Sequence, residues 1–357
     1  MMGSILYILP AGGYSGGANS VVQEVSGFLR MGIAAAIAVD ERNHASFVSA
    51  YASLPAVLSG LKVYGSQDEL EALLADASIA VATIATSVPL VVQAYGNLPK
   101  EMRPKMFYYI QDYEPFFFEK DTENWENARR SYEFKTILRG FAKTDWICKT
   151  VEERHGMTVS RVKASIDHDV YFPLFSQPAR SVLSIAAMIR PGTPRRAPRR
   201  TWRIINRLAA EMEGRVSIAT FGCSTDELRD HGLTVAPSVR HHGRLTREQV
   251  AQVLRQSDLF LDLSDYQAFG RTGLEAAACG AVPLVTVHGG ADEYVVHGEN
   301  GFLVDVRDEQ EILRQVRQFS EMSRESREMM GLNAMRKASE YTIHQACASI
   351  LAVFRSE

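Results

Sequence analysis

The sequence predicts an α/β protein built from two similar halves, each with a mostly parallel sheet. Three observations carry this. Short buried-type apolar runs alternate with helical segments along the whole chain, a βαβα grammar. The same opening, a strand followed by a Gly- or Pro-rich loop and a helix, occurs at the start and again after residue 182. The 357 residues are long for one hydrophobic core, so two domains are expected. Boundaries are placed at 1–173 and 174–340, with a C-terminal helix over 341–357 that packs back on the first domain.

The first half opens on the run Ser4 to Leu9 and then PAGGYSGGAN. The pairs Gly12-Gly13 and Gly16-Gly17 precede a helix whose Val21, Val22, Val25, Phe28 and Leu29 recur at helical spacing. A strand over Ala34 to Val39 ends at Asp40. A dinucleotide-binding turn also places an acid about 20 residues beyond its glycines, but the spacing here is GGxxGG and not GxGxxG. Further strands are expected at Ile79 to Ala85, Met106 to Ile110, Ala142 to Ile147 and Val159 to Ile166. At the end of Met106 to Ile110 stand Gln111, Asp112 and Glu114, where a parallel sheet presents ligand-binding groups; helix capping or a surface turn is the alternative.

DHDVYFP, residues 167–173, breaks the pattern, and YFPLFSQP reads as a hinge. Asp167 and Asp169 have the spacing of a metal-binding DxD pair; a polar turn at a domain junction is the simpler reading, since no further acid clusters with them. In the second half, Val182 to Met188 is a strand followed by IRPGTPRRAPRRTWR, with Arg190, Arg195, Arg196, Arg199, Arg200 and Arg203. Guanidinium groups pair with phosphate oxygens in a bidentate way, so a split is expected. Arg190 with Arg195 or Arg196 faces a ligand, and the later arginines face water. A solvated basic helix start or a patch for anionic lipid is the alternative. Strands follow at Val216 to Phe221, Val239 to Gly243 and Leu259 to Leu263. Thr246 with Gln249 three residues on forms a capping box that starts a helix running to Ser257. After Ala281 to Val287 comes a second glycine turn, HGGADEYVVHGENGFLV, and then helices over Asp308 to Phe319, through Lys337, and over Ile343 to Phe354.

The stretch SDYQAFGRTGLEAAACG, residues 264–280, joins a strand, a Gly-rich turn and an Ala-rich helix start. Such a turn presents free backbone N–H groups and the positive end of a helix dipole to an anion. Glu275 lies near the start of that helix.

Composition narrows the remaining classes. A net charge of −3 with 23% charged residues gives no global signal for nucleic acid. Nor is there aromatic interleaving of the basic stretch. The cysteines Cys148, Cys223, Cys279 and Cys347 show no metal-ligand spacing and read as buried thiols of a reducing cytoplasm. No apolar run approaches the roughly 20 residues of a membrane helix, and the N-terminus lacks a basic n-region, so a cytoplasmic protein is expected. Peripheral contact with the inner face of a membrane stays open.

FLDLSDYQAFGRTGLEAAACGAVPLVTVHGGADEYVVHGENGFLV resembles the donor-site segment of family-4 glycosyltransferases, and GGYSGGAN, DHDVYFP and GRLTREQV extend the resemblance over nearly the whole chain. The resemblance implies the GT-B fold, two Rossmann-like domains facing each other across a cleft, and transfer with retention from a nucleotide-diphosphate sugar to a glycan or lipid-linked acceptor. It assigns Glu275 to the ribose hydroxyls, Phe269 and Gly270 to the donor sugar through backbone groups, and the stretch from Arg240 through Gly243 to Leu245 to the base. Gly16 and Gly17 would approach the phosphates. Arg190, Arg195, Arg196 and the amides around Gly270, Arg271, Thr272 and Gly273 would stabilise the departing diphosphate, with no metal and no cofactor. In the family pattern two Glu residues are separated by seven positions; the first is Gln267 here, which cannot act as a nucleophile. MFYYIQDYEPFFFE and RPGTPRR resemble segments of bacterial surface-polysaccharide rhamnosyltransferases, which makes Asp112 a candidate for contacting acceptor or donor sugar. An inactive nucleotide-sugar-binding homologue and a GT-B nucleotide-sugar epimerase are the alternatives, and an oxidoreductase the least supported.

Overall fold

The computed structural model describes residues 4–13, 15–175, 182–234 and 236–356. The last three residues of the expected hinge, Ser176 to Pro178, and Tyr14 of the glycine loop lie outside them. The chain divides into two compact units, residues 1–165 with 343–357, and residues 166–342.

Unit 1 carries strands β1 (Ile5–Ile8), β2 (Ala35–Asp40), β3 (Lys62–Tyr64), β4 (Ile79–Ala82), β5 (Lys105–Ile110), β6 (Arg139–Ala142) and β7 (Val159–Arg161), in the order β3-β2-β1-β4-β5-β6-β7. Every pairing is parallel. Unit 2 carries β8 (Leu183–Met188), β9 (Val216–Phe221), β10 (Val239–His241), β11 (Leu259–Asp262), β12 (Val282–Thr286) and β13 (Phe302–Val304), ordered β10-β9-β8-β11-β12-β13 and again parallel. Strands buried on both faces read as continuous apolar runs, which is why LYI, FYYI, IAAM and LFL stood out. Both sheets reverse strand order beside their first strand, between β1 and β4 and between β8 and β11. Parallel α/β sheets bind ligands at the carboxyl ends of strands at such switch points.

The Gly16–Arg30 helix starts on Ser15, whose side chain accepts from Ala18 N–H, and buries Val21, Val22, Val25 and Phe28. The Ile343–Arg355 helix lays Ile343, Cys347, Ile350, Leu351 and Phe354 into the same core. Phe354 meets Phe107 and Phe141 at 4.6 and 5.7 Å between ring centres.

Several expectations are corrected. The segment expected as a strand over Ala142 to Ile147 is the end of β6 and then a helix, Asp145–His155, because Thr144 caps it by accepting from Ile147 N–H. The strand expected over Val159 to Ile166 stops at Arg161. The edge strand β3 and the three-residue β13 carry too short a pattern to read from sequence. The unit boundary falls at Ser165/Ile166 and not after Pro173, since Ile166 and Tyr171 pack with Leu274, Ala277 and Tyr294 of unit 2. The capping box of Thr246 and Gln249 starts the Arg247–Arg255 helix. Among the described residues no helix is long and apolar enough to cross a membrane.

Candidate donor site in unit 2

The switch point of unit 2 is formed by the loops after β8 and β11. The first runs from Arg190 through a 3-10 turn, Pro194–Arg196, into the Pro198–Glu211 helix. The second runs from Leu263 to Gly270 into the Arg271–Ala278 helix. Arginines lace the two together. Arg200 donates to the Leu263 carbonyl at 2.9 Å and to Asp265 at 2.8 Å, the Arg195 carbonyl accepts from Asp265 N–H, and Arg195 lies over the Tyr266 ring. Arg196 stands 3.7 Å from Asp262. The expectation that the later arginines face water therefore holds for Arg199 and for Arg203, which pairs with Glu309 at the surface, but not for Arg200, which fastens the loop.

A third loop, the HGG turn at His288 to Gly290, backs the second. Gln267 N–H donates to the His288 carbonyl, and Gly290 N–H donates to the Gln267 carbonyl. Between them Gly289 has φ +122°, and a Cβ there would lie 1.8 Å from the Gln267 oxygen. Only glycine closes this contact. Tyr294 Oη donates to the Gly270 carbonyl at 2.8 Å and leaves no room for a side chain at Gly273. The turn is thus held from behind by backbone bonds, and its helix start is fixed.

Inside the turn Asp262 is 7% exposed and Gln267 is 4% exposed. The Gln267 amide nitrogen donates to Asp262 Oδ2 at 2.5 Å and to Ser264 Oγ at 3.1 Å, and Ser264 Oγ donates to Asp262 Oδ1 at 2.5 Å. Glu275 is 7% exposed, with Arg271 3.9 Å away. Burial pushes its carboxyl up to about 7, against the pull of Arg271, Arg247 and Arg190. Arg190 keeps surface exposure, yet the surrounding protein depletes its hydration and, with Arg195 next to it, lowers its pKa. Arg190, Arg196 and Arg271 thus border the two buried carboxylates.

Unit 2 brings Arg190, Arg195, Arg196, Gln267, Gly270, Arg271, Thr272 and Glu275 to one pair of loops. Phe269 packs its ring against Tyr294 and Tyr341. Arg240, Gly243 and Leu245 sit at the end of β10, separated from β8 by β9. There His241 is fixed between Thr220 and the Cys223 carbonyl. Asp167 pairs with Arg247 at 2.7 Å and caps its own turn through Asp169 N–H, so its carboxylate is committed to the junction. Gly16, Gly17 and Asp112 belong to unit 1. A Cβ on Gly17 would meet the Gln111 amide at 3.3 Å, and Asp112 accepts from Tyr113 N–H. Sequence reasoning missed Asp262, Ser264, Gly289 and Tyr294. An acid inside the apolar run LFLDL was the available signal for the first.

Residues 225–337 match the family described as glycosyl transferases group 1. N-acetyl-alpha-D-glucosaminyl L-malate synthase of Bacillus anthracis is 44% identical over 62 residues, 17% of this chain and 16% of that protein. Mannosylfructose-phosphate synthase of Agrobacterium fabrum (strain C58 / ATCC 33970) is 30% identical over 112 residues, 29% of this chain and 25% of that protein. The matches thus span a quarter or less of these relatives' own length. The crystal structure of Anabaena HepE in complex with UDP and glucose has a TM-score of 0.80 at 16% identity, covering 99% of this chain and 100% of that one. This likeness shows the fold, that of the GT-B glycosyltransferases.

Proposed function

We propose that the chain is a glycosyltransferase that moves a sugar from a nucleoside diphosphate sugar to an acceptor hydroxyl. The observation that carries it is the arginine-rimmed turn at the unit 2 switch point, with its helix start and the buried Glu275, inside the segment that matches group 1 glycosyltransferases. UDP is the first donor nucleotide to test, because HepE was crystallised with it.

Cleavage of the donor leaves positive charge at the anomeric carbon and negative charge on the diphosphate. Arg190, Arg195 and Arg196 stabilise that negative charge as it develops, together with the N–H groups at the start of the Arg271–Ala278 helix. Glu275, ionised, accepts hydrogen bonds from the ribose hydroxyls; the residues from Arg240 to Leu245 line the base, and Phe269 and Gly270 meet the donor sugar through backbone groups. Gln267 contacts the sugar as a hydrogen-bonding group and not as a nucleophile. The acceptor hydroxyl then attacks on the face the leaving phosphate occupies, its proton passes to that phosphate oxygen, and configuration is retained. In unit 1, Asp112 is the candidate for contacting the acceptor or the donor sugar, and Gly16 and Gly17 let the backbone approach the phosphates. Arginines and dipoles take the place of a metal, and no cofactor takes part.

The pathway is glycan or polysaccharide assembly, and rhamnosyl transfer is the narrower reading that the QDYEP segment suggests. The acceptor is a glycan or lipid-linked chain, met in the cytoplasm or at the inner membrane face. A panel of nucleotide sugars assayed for transfer and hydrolysis tests the reading. Release of nucleoside diphosphate from one donor is expected, whereas binding without turnover would leave a nucleotide-sugar-binding homologue. Sugar inversion without acceptor would indicate an epimerase. Loss of activity in chelator, restored by a divalent cation, would overturn the metal-free scheme.

A further inference from the structure

The buried Asp262 has no place in the scheme above, although it sits at the carboxyl end of the central strand β11. Its two oxygens take three bonds: Oδ1 from Ser264 N–H and Ser264 O–H, and Oδ2 from the Gln267 amide. An ionised carboxylate only accepts, so the group Gln267 turns toward it is the NH2 end. That NH2 end has two protons, and Asp262 and Ser264 take both. The hydrogen-bonding group left on Gln267 is the carbonyl Oε1, an acceptor.

We propose that Asp262 is a positioning residue that locks Gln267 with its carbonyl as an acceptor for a hydroxyl of the transferred sugar. The inference rests on the donor-site reading above. Gln267 thereby offers a sugar hydroxyl the acceptor that a carboxylate at position 267 would offer, while the negative charge stands one layer deeper, on Asp262. From there it also faces Arg196 at 3.7 Å and helps to hold that guanidinium beside the turn. Charge-assisted bonds of this length are the stronger kind, and they fix an amide that would otherwise be free to turn over.

The test is a reciprocal exchange. Asp262→Asn removes the charge and lets the amide present either end, and kcat should fall about 10- to 100-fold, the usual reach of a lost bond to a charged group. Gln267→Glu places two carboxylates in contact, so they share a proton, and activity should fall as pH rises from 6 to 8 where the wild type does not. The double variant D262N/Q267E restores one carboxylate and one amide in exchanged places, and kcat should recover to well above that of either single variant. A purely structural role for Asp262 would instead make the losses add. UDP affinity measured by calorimetry should stay within about threefold in Q267E, which keeps the Asp262 charge beside Arg196. A double variant no better than the worse single, or an unchanged kcat in D262N, overturns the inference. If D262N does not fold, the pH profile of Q267E decides alone, and a profile like the wild type's overturns it. A wild-type protein that consumes no nucleotide sugar would instead overturn the donor-site reading itself.

Discussion

Replacing Glu275 by Gln should make the protein more stable at pH 8 and not at pH 5. The reason is the direction of its pKa. The carboxyl sits at about 7 in the fold against 4.5 in the unfolded chain, so between those values the native state holds a proton that the unfolded state has lost. Stability therefore falls as pH rises from about 4.5 to 7, and the full penalty is present above 7. At 1.36 kcal/mol per unit the difference is about 3 kcal/mol, net of the arginines that oppose it. Gln keeps the shape and removes the charge, so most of that penalty disappears. In a unit of this size about 3 kcal/mol corresponds to roughly 6–12 °C in the transition that melts unit 2. Scanning calorimetry of wild type and Glu275→Gln at pH 5 and pH 8 reads it directly. Equal melting temperatures at pH 8, or the same gain at both pH values, would refute the buried-carboxylate argument. Function pulls the other way. If the ionised carboxylate accepts from the ribose, UDP affinity of the wild type should rise between pH 5.5 and 8 more steeply than that of Glu275→Gln, because binding must drive the proton off. Parallel profiles would remove Glu275 from the ribose.

Other substitutions probe the scaffold behind the site. Gly289→Ala forces a Cβ into the Gln267 carbonyl at a left-handed φ, and a loss of roughly 2–4 kcal/mol with collapse of UDP binding is expected in melting and calorimetric assays. Tyr294→Phe removes one of the bonds to the Gly270 carbonyl, which keeps those from Gly273 N–H and Leu274 N–H, and should cost about 0.5–1.5 kcal/mol by denaturant unfolding. Gly273→Ala clashes with the same hydroxyl, so it should be tolerated better in the Tyr294→Phe background than alone. Arg190→Ala should lower kcat/KM for the donor at least tenfold, and normal kinetics would take that side chain out of diphosphate binding.

The architecture was legible wherever one local signal sufficed. Continuous apolar runs marked the central strands, and the Thr246 and Gln249 capping pair marked the start of the Arg247–Arg255 helix. The boundary error at Pro173 came from reading prolines as a hinge, when Ile166 and Tyr171 are already bound into the core of unit 2. The switch-point turn stood out because its glycines and helix start are contiguous in sequence. Its support did not, because Arg200, Gly289 and Tyr294 reach it from 63, 22 and 24 residues away. Asp262 is close in sequence but hidden in a strand, and its partner Gln267 looked like a loss of charge. Only the fold shows that a carboxylate lies directly behind it.

The donor site itself is tested most directly by calorimetric titration of the wild-type chain and of Glu275→Ala with UDP and the other nucleoside diphosphates at pH 8. Saturable binding of at least one nucleoside diphosphate at a single site per chain is expected, weakened tenfold or more in Glu275→Ala. Absence of binding for every nucleoside diphosphate, or equal affinity in the variant, would contradict the placement of the nucleotide on this turn.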